Sequence, residues 1–390
     1  MRYRMGDLVE LVTETNSDLK YGLDDIVGVT LEKQMIPTIA NLTQTDLDDF
    51  IIVHPRDFVY NPRTHGKKIG LGFNTTDRCF ISTWNNNTFH VKPEMAEVII
   101  PEYLYMHFLR ERWDKEACFN AWGSSTVVLL WSSFCDMKIK VPPIEEQRKI
   151  VHDYQVITDR IELLKKMNSI LLSLIQEERK YWLEDYGPFG GNRPNNWKEV
   201  KLTDVANIVT GYSYSSDELC ESTDIRMATI KNFEIGGGFR ISGYKGLSPK
   251  KTVKPEQYCE LFDTIVAHTD LTQGKIIGSA ESILSVGDAS SVLISMDLVK
   301  VTPKVKGISK YLITAILQDN KFRNHCLQFI NGTTVMHLSK DALKQYRVFL
   351  PNDYTCFEIL NKALKKYYKM ISINLNEIEL LNKVKPFVMR

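Results

Sequence analysis

The chain has 390 residues, 43% hydrophobic and 25% charged, with a formal net charge of +1. That length exceeds what one hydrophobic core normally supports, so two domains plus connectors are expected. No apolar run approaches the roughly 20 residues that span a bilayer, and the near-neutral balance argues against non-specific coating of DNA, which needs surplus cations to displace phosphate counterions.

The N-terminal run Met1-Arg2-Tyr3-Arg4-Met5-Gly6-Asp7 carries charge with no apolar stretch behind it, so it is not a signal peptide. A first domain is expected over residues 1–141. Its first half mixes short apolar runs, Ile51-Ile52-Val53 and Phe58-Val59-Tyr60, with turn residues such as Asn61-Pro62-Arg63-Thr64-His65-Gly66. Such alternation predicts short strands in an α/β or mostly β fold. Pro101 to Leu109 reads as a helix opened by proline in its first turn. Arg63, His65, Lys67 and Lys68 cluster around Gly66-Lys67-Lys68-Ile69-Gly70, where glycine lets backbone approach a phosphate and the cations supply charge. The bland alternative is a hairpin turn with solvated lysines. Trp84, Asn85, Asn86 and Asn87 offer an indole and amides suited to base edges, although the same residues are ordinary in loops.

After Pro142-Pro143 the pattern changes. Ile150, Tyr154, Ile157, Ile161, Leu164, Asn168, Leu171 and Ile175 alternate at spacings of four and three, the seam of a coiled coil with one polar interruption. A helix is expected over residues 142–186, on the order of 60 Å long at about 1.5 Å per residue. The breaker-rich stretch 187–196 reads as a linker. A second domain is expected over residues 197–351, in which Tyr212, Ser213 and Tyr214, then Lys231 and Asn232 with Arg240, then Lys275, are the candidate DNA contacts. A second seam follows in residues 352–390: Phe357, Leu360, Leu364, Tyr367, Ile371, Asn374, Ile378 and Leu381. It too carries one asparagine, a residue that fixes register where it finds a polar partner. The two seams are expected to bury each other as an antiparallel pair.

The chain also repeats itself roughly two hundred residues apart. Gly66-Lys67-Lys68-Ile69-Gly70 returns as Gly274-Lys275-Ile276-Ile277-Gly278, and Gly123-Ser124-Ser125 as Gly332-Thr333-Thr334. Lys138-Ile139-Lys140-Val141-Pro142 returns as Arg347-Val348-Phe349-Leu350-Pro351, and Met5-Gly6-Asp7-Leu8 as Leu202-Thr203-Asp204-Val205. Two copies of one domain suit a two-part target.

Catalytic chemistry is not legible. Seven cysteines form no CxxC pair and no ligand spacing with the eight histidines, which reads as reduced thiols in a cytoplasm and not as a zinc site. Gly236-Gly237-Gly238-Phe239 lacks the strand-loop-helix context of a cofactor cradle and reads as a turn. Asp136-Met137-Lys138 and Glu178-Arg179-Lys180 fit the tail of a nuclease motif, but the first runs into a strand without its upstream acid and the second lies on the coiled-coil helix, so both read as structural. The expectation is a non-enzymatic chain with no cofactor or metal of its own.

Val141-Pro142-Pro143-Ile144-Glu145-Glu146-Gln147-Arg148-Lys149-Ile150 resembles the start of the spacer helix in type I restriction-modification specificity subunits. Trp197-Lys198-Glu199-Val200-Lys201-Leu202-Thr203-Asp204-Val205 with Gly211, and Asp263-Thr264-Ile265-Val266 leading to Gly274-Lys275, are similar to that family's target-recognition domains. The resemblance implies an α+β fold: two similar α/β target-recognition domains separated by two long antiparallel coiled-coil helices. It implies that each domain reads half of a split double-stranded DNA site while the helices act as a ruler. Two methyltransferase subunits carrying S-adenosylmethionine would dock, with Pro142, Pro143, Glu146 and Gln147 as candidate docking residues, and restriction subunits would join outside them. The chain departs from the family at Pro351-Asn352-Asp353-Tyr354-Thr355-Cys356, which lacks the Pro-Pro and Glu-Gln pairs, so docking at the second helix is expected to differ. That helix is also shorter, and little sequence precedes the first domain, so minimal closure between the terminal regions is expected. The alternative is a non-enzymatic coiled-coil scaffold or a restriction-antagonist binding protein, which the neutral charge favours.

Overall fold

The structure, a computed structural model, describes residues 1–38, 45–65, 67–123, 127–221, 224–332 and 334–389. Gly66, Ser124, Ser125 and Thr333, all members of repeated motifs, and the side chain of His65 lie outside the described residues. The chain divides into two compact units, Met1–Asp159 with Lys383–Arg390, and Arg160–Asn382.

The duplication is expressed strand by strand. In the first unit Arg2–Arg4 pairs antiparallel with Lys138–Lys140, and in the second Trp197–Lys201 pairs antiparallel with Arg347–Pro351. A single helical turn follows each opening strand, Met5–Leu8 and Leu202–Val205. Both turns are started the same way: Asp7 accepts the Arg4 N–H at 3.0 Å, and Asp204 accepts the Lys201 N–H at 3.1 Å. A carboxylate three residues into a helix satisfies a donor that the helix cannot.

Each unit then builds a four-stranded sheet in one order. The first runs Val9–Leu11, Asn87–Val91, Phe58–His65, Lys68–Phe73; the second runs Ala206–Thr210, Leu298–Pro303, Thr264–Ala267, Ala280–Ser282. Beside it the first unit has two ribbons, Val27–Val29 with Met35–Pro37 and Ile51–Val53 with Phe80–Ser82, joined by a parallel bridge between Ile26 and Ile81. Their counterparts in the second unit merge into a five-stranded sheet through parallel pairing of Ile225–Ala228 with Ser291–Ile294. Three helices close each unit: Pro101–Phe108, Glu111–Phe119 and Trp131–Asp136, matched by Lys310–Leu317, Asn320–Leu327 and Asp341–Gln345. The fold is therefore α+β, with a long helix between two β-rich domains, as expected.

The two cores are filled differently. Phe58, Tyr60, Phe89, Phe108 and Phe134 are fully buried in the first, whereas Ile265, Val266, Val301, Leu312 and Ile313 occupy the second. Aromatic rings bury large areas per side chain, so the first core is built from fewer buried residues than the second.

The long helices are Ile144–Leu183, of 40 residues, and Glu358–Val388, of 31 residues. Arg160 donates from two guanidinium nitrogens to Glu377 at 2.7 and 3.1 Å. The Asn374 side-chain amide donates to the Asn168 side-chain oxygen at 2.8 Å, with both residues buried. Moving forward along one helix moves backward along the other, so they run antiparallel. The two seam asparagines are partners of each other. Ile161, Leu164, Ile175, Leu360, Leu364 and Ile371 are buried along the seams. The heptad pattern misses a second buried face of the later helix: Tyr368 is 1% exposed and donates its hydroxyl to Gln318 at 2.9 Å. That helix packs on its own domain as well as on the other helix. Among the described residues no helix is long and apolar enough to cross a membrane, and no group of His, Cys, Asp and Glu is placed to hold a metal.

Candidate nucleic-acid interface

Strand Phe58–His65 loses its ladder with Lys68–Phe73 between Tyr60 and Thr64. Pro62 has no N–H to give, and the Asn61 side chain instead accepts the Arg63 N–H at 2.9 Å. The freed backbone turns to another segment: Leu129 donates to the Pro62 carbonyl at 2.8 Å and Thr64 to the Val127 carbonyl at 2.9 Å. Arg63 bridges to Val128, and Val128 to Trp122. The tip beyond is turned by Lys67, whose φ of 67° lies in the left-handed region. Arg63, Lys67 and Lys68 are exposed there.

A buried ion pair pins the base of this arm. Asp114 accepts the Ile69 N–H at 3.1 Å and the Lys33 ammonium at 2.6 Å, and the same ammonium donates to the Ile69 carbonyl at 2.6 Å. Burial lowers the Lys33 pKa, against the raising effect of Asp114. The arm is thereby held by both polar groups of one residue.

Against the arm lies an open cleft of about 330 Å³, lined by Gly28, Val29, Asn61, Arg63, Thr83, Asn85 and Asn86. It brings together two sequence candidates that stand apart in the chain, the Arg63 cluster and the Trp84 loop. Asn86 is oriented by donating to Ser82 at 2.9 Å, while Trp84 is 67% exposed. Trp122, 73% exposed beside the arm, escaped sequence reading, as did Asn61 and Thr83. A signal was available, since Trp122 immediately precedes the repeated Gly123 motif. A guanidinium, paired amides and free indoles can engage phosphate, base edges and base faces respectively.

The second domain does not gather its candidates. Tyr212 is 3% exposed; its hydroxyl donates to Glu218 at 2.5 Å and accepts the Lys251 N–H at 3.2 Å. That hydroxyl, aided by backbone and serine donors, pulls the Glu218 carboxyl down to about 2. Asn232 is fully buried, accepting the Thr229 N–H at 2.8 Å and donating to the Arg240 carbonyl at 2.8 Å. Both are corrected from DNA contacts to structural ties. Arg240 is engaged by Glu234. Ser213 and Lys231 are exposed, and Tyr214 is half-buried against the small cluster around Tyr212. Lys275 is exposed on a loop wrapped around Asp270, which accepts the Ile276 and Ile277 N–H groups at 2.9 and 3.0 Å.

Of the docking candidates, Pro143 and Glu146 are exposed and Pro142 is half-buried. Gln147 is wholly buried: it accepts the Ile100 N–H at 3.0 Å and donates to the Val98 and Pro142 carbonyls at 2.8 Å each. It clamps the helix start to the first domain and cannot meet a partner. Apolar surface is offered elsewhere. Val156, Leu163, Ile170, Leu174 and Tyr181 are 40% to 60% exposed at heptad-like spacing on the first helix. Met370, Ile373, Leu380, Val384 and Phe387 are 38% to 63% exposed on the second. Contiguous apolar stripes on a helix in water mark surfaces for association.

Comparison with known proteins gives three findings. Residues 194–385 match the type I restriction modification DNA specificity domain. The chain is similar to two specificity subunits of Methanocaldococcus jannaschii type I restriction enzymes. It is 26% identical to MjaIX over 174 residues, 42% of this chain and 40% of that one. It is 24% identical to MjaVIII over 275 residues, 66% of this chain and 61% of that one. The chain thus spans less than two thirds of either relative. The S subunit of the M. genitalium type I system has a similar fold, with a TM-score of 0.57 at 12% identity, covering 100% of this chain and 94% of that one.

Proposed function

The chain belongs with the specificity subunits of type I restriction-modification systems, and on that premise we propose that it selects the DNA sequence on which partner subunits act. The observation that carries the reading is the double copy of one domain with the same sheet order and closing helices, each copy followed by a long helix. Each copy reads one half of a bipartite site in duplex DNA. In the first, Arg63 and Lys68 hold phosphates while Asn85, Asn86 and the flanking indoles face the bases. Two methyltransferase subunits bring S-adenosylmethionine and the catalytic groups; the chain supplies none of the chemistry. The exposed apolar stripes of the two long helices support docking of these subunits, and restriction subunits join the same assembly.

Band shifts test the reading. A methyltransferase subunit with this chain is expected to retain one duplex sequence over scrambled competitors, with affinity falling steeply as salt rises. Sequence-blind retention, or retention by the methyltransferase subunit alone, would contradict it.

A further inference from the structure

The two copies differ most where the last small helix meets the sheet. Backbone bonds fix the correspondence: Leu129 donates to Pro62, and Leu338 to His268, each at 2.8 Å. With the strand registers, Tyr60, Phe89, Trp131, Phe134 and Cys135 then match Val266, Val301, Lys340, Leu343 and Lys344. In the first copy the space is solid. Trp131 and Phe134 lie 5.1 Å apart, with Tyr60 and Phe89 each 5.2 Å from Phe134.

In the second copy Lys340, Leu343 and Lys344 stand where the first has Trp131, Phe134 and Cys135, and they line a cleft of about 430 Å³. Thr203, Ile208, His268, Lys304, Lys340 and Lys344 are among its lining residues, and none of the described lining residues is acidic. Lys304 is held at its edge by donating to the Thr203 carbonyl at 3.1 Å, as Lys92 donates to Gly6 at 2.8 Å in the first copy. Lys344 faces one carboxylate, Asp341, at a loose 3.7 Å. His268 Nε2 is covered and has no hydrogen-bond partner. Burial, with His337 and Lys340 nearby, lowers the pKa of this ring against the opposing pull of Asp297. An unpartnered buried nitrogen costs free energy that an acceptor or a bound water would offset.

We propose that this cleft is a phosphate-binding site of the second copy, with no counterpart in the first. Three ammonium groups suit a compact dianion. The site stands on this cleft and does not depend on the DNA reading.

Calorimetric titration of the full chain with inorganic phosphate and with pyrophosphate, at low ionic strength, tests it. One saturable site per chain is expected. Lys340→Trp, which restores the ring the first copy carries, should weaken binding about tenfold or more, and Lys344→Gln about three- to tenfold, the loss of one charge-assisted contact. Lys115→Gln, at an exposed lysine of the first unit, should leave it unchanged. Thermal melting checks folding, and Lys344→Gln, exposed in the free chain, carries the test if Lys340→Trp misfolds. No saturable binding, or equal binding by wild type and Lys344→Gln, would overturn the site. Adding duplex DNA assigns the source: displacement of phosphate by the duplex means the ligand is a DNA phosphate, and independent binding means free phosphate. Both results keep the site.

Discussion

Arg63 stands where a proline-broken strand is rescued by a neighbouring segment, and it lines the same cleft as Asn85 and Asn86. Arg63→Ala is expected to weaken duplex binding by the assembled complex about tenfold and to lower the log–log salt slope by about one, the signature of a lost phosphate contact. An unchanged slope in a salt titration would take Arg63 out of the interface. Glu281 gives a prediction of another kind. It is buried beneath the glycine turn, accepting the Gly238 N–H at 2.7 Å and the Gln318 amide at 3.2 Å. Burial outweighs both bonds and raises its carboxyl from 4.5 to about 7. The folded chain therefore holds this proton more tightly than the unfolded chain, so the group's contribution is lost as pH rises between those values. Unfolding free energies from denaturant titration are expected to fall by on the order of 1–3 kcal/mol more in the wild type than in Glu281→Gln between about pH 4.5 and 7. Parallel profiles would show that the carboxyl titrates normally. Polar residues were the hardest to read from sequence. Tyr212, Asn232 and Gln147 sit in loop-like or helix-start contexts that suit recognition equally well, and only their tertiary partners show them to be buried. The Thr229-to-Asn232 spacing, a reciprocal cap, was the one local clue.

At the scale of elements, the long helices were legible because a seam repeated over many turns leaves few alternatives. Both asparagines were seen as register devices, and the structure pairs them with each other at 2.8 Å. Asn168→Ala should destabilise the helix pair by about 1–3 kcal/mol by leaving the Asn374 amide buried and unpaired. Replacing both by leucine should cost less than the two single changes summed. Additive losses in denaturant titrations would mean that the two amides are not coupled. Heptad reading stopped short at Tyr368, because one stripe of a helix says nothing of what the opposite side meets. The exposed stripe gives a complementary expectation. Ile170→Glu, at a position 60% exposed, should leave the melting temperature within a few degrees of wild type yet abolish co-purification with a methyltransferase subunit. Retained co-purification would move the docking surface elsewhere.

Over the whole molecule, duplication explains more than any motif. Matching opening turns, sheet orders and closing helices show that ordered repeats of weak motifs carry topology even where each motif alone is ambiguous. The copies then diverge: rings pack one interior, and aliphatic side chains with lysines line a cleft in the other. The repeats on either side, Gly123 with Gly332 and Lys138 with Arg347, already set Trp131 against Lys340, but that the one packs among rings and the other lines a cleft is visible only in the fold. The central claim is that each copy reads its own half of the DNA site. Replacing residues 197–350 by the corresponding segment of a relative, and mapping methylated positions across the genome, tests that most directly. The account predicts that one half of the methylated sequence changes while the other stays as it was; a change in both halves, or in neither, would contradict it.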